Sequence, residues 1–365
     1  MTQIKDITRL LENLAPLAWQ ESYDNAGLQT GNPNAEATGA LITLDCTPEI
    51  VDEAIARNCN LIIAHHPVIF KPLKKLTSSN LVEQTIIKAI QNNIAIYASH
   101  TNLDSVIGGV NSKIADKLGL QNVKILDQKK EALLKLVTFA PEENTEAVLK
   151  AMHAAGAGQI GDYKNCSYHT SGEGRFLPTE NTDPHIGEPG KPEKVTEDRI
   201  EVLVPAPFQN RVVDALVAAH PYEEVAYDLY PLKNAYQEVG TGMIGELPEE
   251  MNFADFIAHL KTSMEIPGLK HTKLGPAKIK KVAICGGAGS FLMGKALQSG
   301  AQAFVTADLK YHEYFMAENK MHVCDLGHYE SEVFTKEIFY DLILQNFPNF
   351  AVLLSKINTN PVTYS

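Results

Sequence analysis

Apolar positions in residues 40–120 follow two alternating rhythms. "ALITLD" (40–45) reads as a short β run, and "TPEIVDEAIARN" follows with helical spacing, Thr47 at the N-cap and Pro48 in the first helical position. "NLIIA" and "IAIYAS" are further β runs, separated by the helix "LVEQTIIKAIQNN". "VNSKIADKLG" closes the series as a helix ending at Gly119. Strands alternating with helices predict an α/β layered sheet.

The rhythm returns near the C-terminus: "KVAIC" is a strand, "GGAGSFLMGKALQSG" a turn and helix, and "AFVTA" a strand. "KYHEYFMAEN" is then a helix, "MHVCDLG" a strand, "ESEVFTKEIFYDLILQN" a helix and "FAVLLS" a strand. "ITLDCTPEIVDEAIARNCNLIIAHH" lies over "VAICGGAGSFLMGKALQSGAQAFVTAD" strand on strand and helix on helix, the pattern of a diverged duplication. The next strands, "IAIYASH" and "MHVCDLGH", then end on His100 and His328. Two such lobes, 1–126 and 235–365, are expected to form one core, with equivalent strand ends at a shared cleft.

Residues 127–234 have a different pattern: strand "EALLKLVTFAP", helix "NTEAVLKAMHAAG", strand "IGDYKNCSYHT", strand "RIEVLVP", helix "PFQNRVVDALVAAH", strand "EVAYDLYPL". This β-α-β-β-α-β order predicts an inserted ferredoxin-like domain. Its Gly/Pro-rich stretch 171–194 predicts a long central loop. The glycines of "EVGTGMIGEL" predict a tight turn where the core resumes.

Composition narrows the function. The 365 residues are 44% hydrophobic and 21% charged, enough for sizeable cores in two or three domains. The balance of 32 basic and 44 acidic residues, net −12, argues against a nucleic-acid partner. Five scattered cysteines without a CxxC fit reduced thiols in a cytoplasm. "MTQIKDITRLLENLAPLAW" mixes charges into an amphipathic helix instead of a signal peptide, and no apolar run approaches a membrane span.

Chemistry gathers at the strand ends. In "NLIIAHHPVIF", Pro67 stops the strand, so His65 and His66 can both turn to one side. In "ASHTNLD", His100 and Asp104 lie on the loop after the next strand. In "DLGHYESE", His328 and Glu332 share a helix face at i, i+4. His65, His66, Asp104, His328 and Glu332 are too few for two closed tetrahedral sites, which suits a catalytic dinuclear centre with open positions. Two ions roughly 3.5–4 Å apart would hold a bridging hydroxide. Zn, Fe or Mn all suit mixed N/O ligation. His100 or His312 could support the ligands or donate a proton, so His100, Asp104 and Glu332 are the catalytic candidates.

Further candidates line the expected cleft. Gly286, Gly287 and Gly289 in "CGGAGS" offer amides that could cradle a phosphate, or serve strand–helix packing. Asp308 and His312 follow the second lobe's counterpart of "NLIIA". Asp24 and Asn25 in "SYDNAG" either reach the cleft or form a plain turn. "AHPYEE" (219–224) is either a metal site in the insert or a helix-ending turn.

The motifs "SYDNAGLQTG", "IIAHHPVIF", "SHTNLD", "GTGMIGEL", "CGGAGS" and "DLGHYESE" together resemble the family of GTP cyclohydrolase 1 type 2 homologues, the Nif-three-like dinuclear metal proteins. "AGAGQIGDYKNCSY…GEGRF" and "AAHPYEEVAYDLYPL" resemble the inserted domain of its longer bacterial members, similar in fold to the PII and CutA regulators. The resemblance implies two divalent ions held by His65, His66, Asp104, His328 and Glu332, and a homohexamer built as a trimer of dimers. It implies hydrolysis of GTP or another nucleotide-like or cyclic amide or amidine substrate. A metal-binding regulatory or scaffold protein, with the insert sensing a ligand or gating a cavity, is the alternative. Tyr23 stands where many relatives carry Trp.

Overall fold

A computed structural model describes residues 2–363. The chain divides into two compact units: everything up to Asp127 together with everything from Val239 onward, and the inserted Gln128–Glu238.

The larger unit begins with the amphipathic helix Ile4–Leu14, which buries Ile4, Ile7 and Leu11. Four short strands follow: β1 (Gly27–Thr30), β2 (Ala40–Thr43), β3 (Leu61–Ala64) and β4 (Ala95–Ala98). Every residue of β2, β3 and β4 is buried, as expected of parallel strands covered on both faces. The helices Pro48–Ala56 and Leu81–Gln91 join them. Pro48 opens the first, and the Asn80 side chain caps the second by accepting from the Glu83 amide. The chain then leaves through β5 (Gln121–Lys129).

The inserted unit contains β6 (Leu133–Pro141), β7 (Ser167–Phe176), β8 (Glu193–Pro205) and β9 (Tyr227–Leu232), with helices Thr145–Ala154 and Gln209–Ala219. The sheet order is β7-β8-β6-β9 and every neighbouring pair is antiparallel, the arrangement of a split βαβ unit. Leu136, Ile200 and Val202 pack with Val148, Val212 and Leu216 from the two helices. The second strand of the expected series begins at Ser167, not near 160, and runs on to Phe176, so the long loop shrinks to 177–192.

The second lobe consists of β10 (Tyr236–Asn252), β11 (Lys270–His271), β12 (Lys278–Ala288), β13 (Ala303–Ala307), β14 (His322–Asp325) and β15 (Val352–Leu354). "EVGTGMIGEL" is no turn: it lies within the 17-residue β10, where Gly242 takes φ +63°. A Cβ there would meet the Ile284 carbonyl oxygen at 2.8 Å. The segment Tyr311–Ala317 winds as a 3-10 helix, and the expected C-terminal helix is broken into His328–Glu332 and Thr335–Asn346.

The two lobes share one path. In each, an edge strand (β1, β11) pairs antiparallel with the last of three parallel strands (β4, β14). Each lobe then gives its final strand away. β5 completes the sheet β11-β14-β13-β12-β10-β5, and β15 completes β1-β4-β3-β2-β15. This exchange ties the two halves of the unit together through backbone hydrogen bonds.

Candidate metal centre

The site grows from the C-terminal ends of parallel strands. Past β3, the amides of His65 and His66 both donate to the Leu44 carbonyl, at 3.1 and 3.0 Å. Strand alternation therefore stops at this pair, and the two rings lie 5.0 Å apart. Past β4, His100 precedes a single helical turn, Thr101–Asp104, instead of the expected loop. The amides of Leu103 and Asp104 both donate to the His100 carbonyl. Past β14, Gly327 turns the chain at φ +95° and His328 opens the helix that ends at Glu332.

All four imidazoles are held in the same way. His65 Nδ1 bonds the Ser99 carbonyl oxygen at 2.8 Å, and His66 Nδ1 bonds Asp45 Oδ1 at 2.7 Å. His100 Nδ1 bonds Asp24 Oδ1 at 2.8 Å, and His328 Nδ1 bonds Asp308 Oδ2 at 2.7 Å. An acceptor at Nδ1 fixes the tautomer and leaves Nε2 free to ligate, the usual support of a metal-binding histidine.

The Nε2 atoms converge. Glu332 Oε2 lies 2.9 Å from His66 Nε2, 3.0 Å from His328 Nε2 and 3.8 Å from His65 Nε2. Two groups could each hold a metal ion, His65–His66–His100 and His66–His328–Glu332, with His66 common to both. Glu332 reaches the centre because Gly287, at φ +59°, carries no Cβ; one built there would sit 2.4 Å from Glu332 Oε1.

Electrostatics fit a cation. His65 Nε2 and Asp104 Oδ1 are buried without a hydrogen-bond partner, 3.6 Å apart. That separation is too long for a hydrogen bond, and each orphaned group costs free energy that a ligated cation would recover. Burial pushes His65 down to about 3 and so keeps it neutral, while burial and the nearby Glu332 carboxylate raise Asp104. Burial opposes ionisation of Glu332, yet bonds from His328 and His66 hold it well below the carboxylate range. Burial also opposes the charge on His66, but its bonds to Asp45 and Glu332 raise it to about 10. The Glu332 contact lifts His328 to about 9. Both shifts favour a proton between these rings and Glu332, and an entering metal would displace it.

The remaining candidates separate. Asp24 supports His100 and also accepts from the Thr101 amide, so both its oxygens are engaged. Asn25 lies just past the turn at Ser22–Tyr23 and donates through its side chain to the Ile69 carbonyl. Asp308 supports His328. His312 is exposed and its rings contacts are with Tyr311 and Phe315. The phosphate cradle fails at two of its three glycines. The Gly286 amide donates to Asn111 Oδ1 and the Gly287 amide to Ser331 Oγ. A Cβ on Gly289 would lie 2.4 Å from Thr306 Oγ1, so that glycine serves close packing. In "AHPYEE", His220 bonds the Phe139 carbonyl through Nε2 and accepts from the Tyr222 amide through Nδ1, leaving no ligand atom.

Sequence reasoning missed Asp45 and Ser99, which hold His66 and His65, and Thr359, whose hydroxyl donates to Asp45 Oδ2 at 2.7 Å. Asp45 had a signal: it ends "ALITLD", at a strand end like the other site residues.

The architecture defines an α/β protein of two related lobes whose strand ends assemble a histidine–carboxylate cluster able to hold metal. The profile of the Duf34/NIF3 (NGG1p interacting factor 3) family matches residues 2–361, and the chain belongs to that family. It is 38% identical over 363 residues to a protein of Halalkalibacterium halodurans named GTP cyclohydrolase 1 type 2 homolog, covering 98% of both chains. A Bacillus subtilis protein of the same name is 36% identical over 368 residues, covering 99% of this chain and 98% of the other. Among solved structures, a Bacillus cereus protein related to NIF3 superposes with TM-score 0.86 at 38% identity, over 100% of this chain and 99% of that one. A Staphylococcus aureus protein superposes with TM-score 0.77 at 32% identity, with the same coverage.

Proposed function

We propose that the centre holds two divalent ions and that the protein is a metal-dependent hydrolase of a nucleotide-like or cyclic amide or amidine substrate, GTP included. The observation that carries this reading is the common support of four histidines, each held at Nδ1 with Nε2 facing a cluster that contains two orphaned buried ligand atoms. His65, His66, Asp104, His328 and Glu332 would hold the ions, which would supply Lewis-acid polarisation and activation of water when bound. Zn, Fe and Mn all suit this donor set.

With Asp104 taking the place of His100 in the group His65–His66–His100, His100 is the residue to move a proton. Asp24 fixes its Nδ1, so exchange occurs at Nε2. Its ring meets that of Phe70, which is 43% exposed, edge to face at 6.2 Å; a substrate entering over Phe70 reaches His100. Glu332 draws His66 and His328 together through its Oε2, and Asp104 and Glu332 would balance the positive charge of the bound ions.

Asp104→Ala is expected to abolish turnover in a screen of nucleotides, cyclic amides and amidines on the metal-loaded protein. A wild-type protein that binds metal and turns over none of them overturns the hydrolase reading. The second reading is a metal-binding regulatory protein, favoured by a separate cavity in the inserted unit; bound metal without turnover supports it. The proposal includes a homohexamer, a trimer of dimers, testable by light scattering, and a cytoplasmic location. No helix among the described residues is long and apolar enough to cross a membrane.

A further inference from the structure

We infer that the inserted unit has a binding site of its own, for a planar nitrogen heterocycle that is positively charged or presents an amidine-type N–H edge. The two helices of this unit cover one face of its sheet, where Leu136, Ile200 and Val202 are buried. Register places Phe139 opposite Arg199, Arg199 opposite Thr170, and Glu197 opposite Gly172, all on the other face. There, beneath the segment 177–192, lies a cavity of about 620 Å³, lined entirely by residues of the inserted unit. That volume is in the range of small-molecule sites.

Its walls suit a flat ring. Phe139, Phe176 and Tyr222 line it, with the Phe176 and Tyr222 ring centroids 6.2 Å apart. On β7 the wall carries glycine at two positions, Gly172 and Gly174. A Cβ on Gly172 would meet nothing within 4 Å, so the cavity is open at that point.

Its polar group selects the charge. Glu197 is only 9% exposed. Its Oε1 accepts from the Tyr222 hydroxyl at 2.8 Å, and no cation among the described residues pairs with it. Its Oε2 lies against β7, 2.0 Å from where a Gly174 Cβ would stand, so only glycine leaves the carboxylate room. A largely buried carboxylate with one hydrogen bond is short of donors, which a cationic or N–H-rich ligand supplies. The arginines of the cavity offer an anion little. Arg199 is bound to Glu201 at 3.0 Å and Arg175 to Glu173 at 2.6 Å.

The test is calorimetry and ligand-observed NMR on the full chain, with benzamidine and 2-aminobenzimidazole as probes and benzoate as the anionic isostere. Both amidines are expected to bind saturably and benzoate roughly tenfold more weakly or not at all. Glu197→Gln is expected to weaken the amidines by roughly tenfold, the loss of a charge-assisted bond. Gly172→Leu, which fills open space and removes no contact, is expected to block them with Glu197 intact, and it serves alone if the first variant does not fold. Benzoate binding as well as benzamidine, no saturable amidine binding, or amidine affinity unchanged in Gly172→Leu overturns the inference.

Discussion

After β3 the first lobe places His65 and His66; after β13, the corresponding strand of the second lobe, comes Asp308 in the left-handed conformation at φ +57°. After β4 comes His100, and after β14, His328. The strand ends match but their residues divide the work. The first lobe brings three imidazoles and Asp104. The second brings His328 and the Glu332 carboxylate that three of the Nε2 atoms surround. Asp308 takes the supporting role at His328 that Asp45 takes at His66. A duplicated path thus supplies positions, and divergence at those positions yields one site shared by two lobes.

The largest test removes the residue common to both metal-binding groups. His66→Ala leaves buried Glu332 with one fewer partner and is expected to cost about 3–5 kcal/mol in denaturant unfolding. Metal content should fall by elemental analysis; wild-type content with one lobe's ligands still working would break the shared-site comparison. Next is Gly287→Ala, which forces a Cβ into a left-handed position against Glu332. A loss of about 3 kcal/mol is expected, together with weaker metal binding, measured by thermal unfolding and metal titration.

A finer comparison sets Asp45→Asn against Asp308→Asn. Each is expected to lower metal affinity about 10–100-fold in chelator competition, by an equal amount if the two lobes support their histidines alike. A loss in only one lobe would show that the likeness is of position and not of role.

The smallest effect is at Asp24. Burial opposes its charge, but bonds from His100 and Thr101 hold it at about 2. A depressed carboxylate stabilises the fold above its unfolded pKa, near 4, and that contribution is lost as pH falls toward 2. Wild type is therefore expected to exceed Asp24→Asn by about 1–2 kcal/mol at neutral pH, with the gap closing between about pH 4 and 2. A gap that is constant across that window would assign Asp24 a packing role only.

Much of this was legible along the chain. Strand–helix periodicity is local, so both lobes and the insert's element order could be read from spacing. Pro67 beside the doubled histidine marked His65 and His66 as a pair outside strand alternation, although β3 already ends at Ala64, where both histidine amides turn to the Leu44 carbonyl. The helical i, i+4 spacing put His328 and Glu332 on one face.

Other features needed the folded chain. Periodicity reports which positions are buried and is silent on partners far away: His66 and Glu332 are 266 positions apart. No local pattern shows that β5 and β15 cross to each other's sheets, or that Asp45, Ser99 and Thr359 stand behind the histidines. The glycines of "CGGAGS" look like a phosphate loop because glycine records only that a side chain is unwelcome. Tertiary structure identifies what occupies the space, and at Gly287 it is the carboxylate of Glu332. Local spacing carried most of the elements and the residues at their ends, but not the strand through "EVGTGMIGEL" or the break before Thr335. Only the tertiary structure decided which of those ends meet, because that meeting depends on contacts between segments that no local spacing encodes.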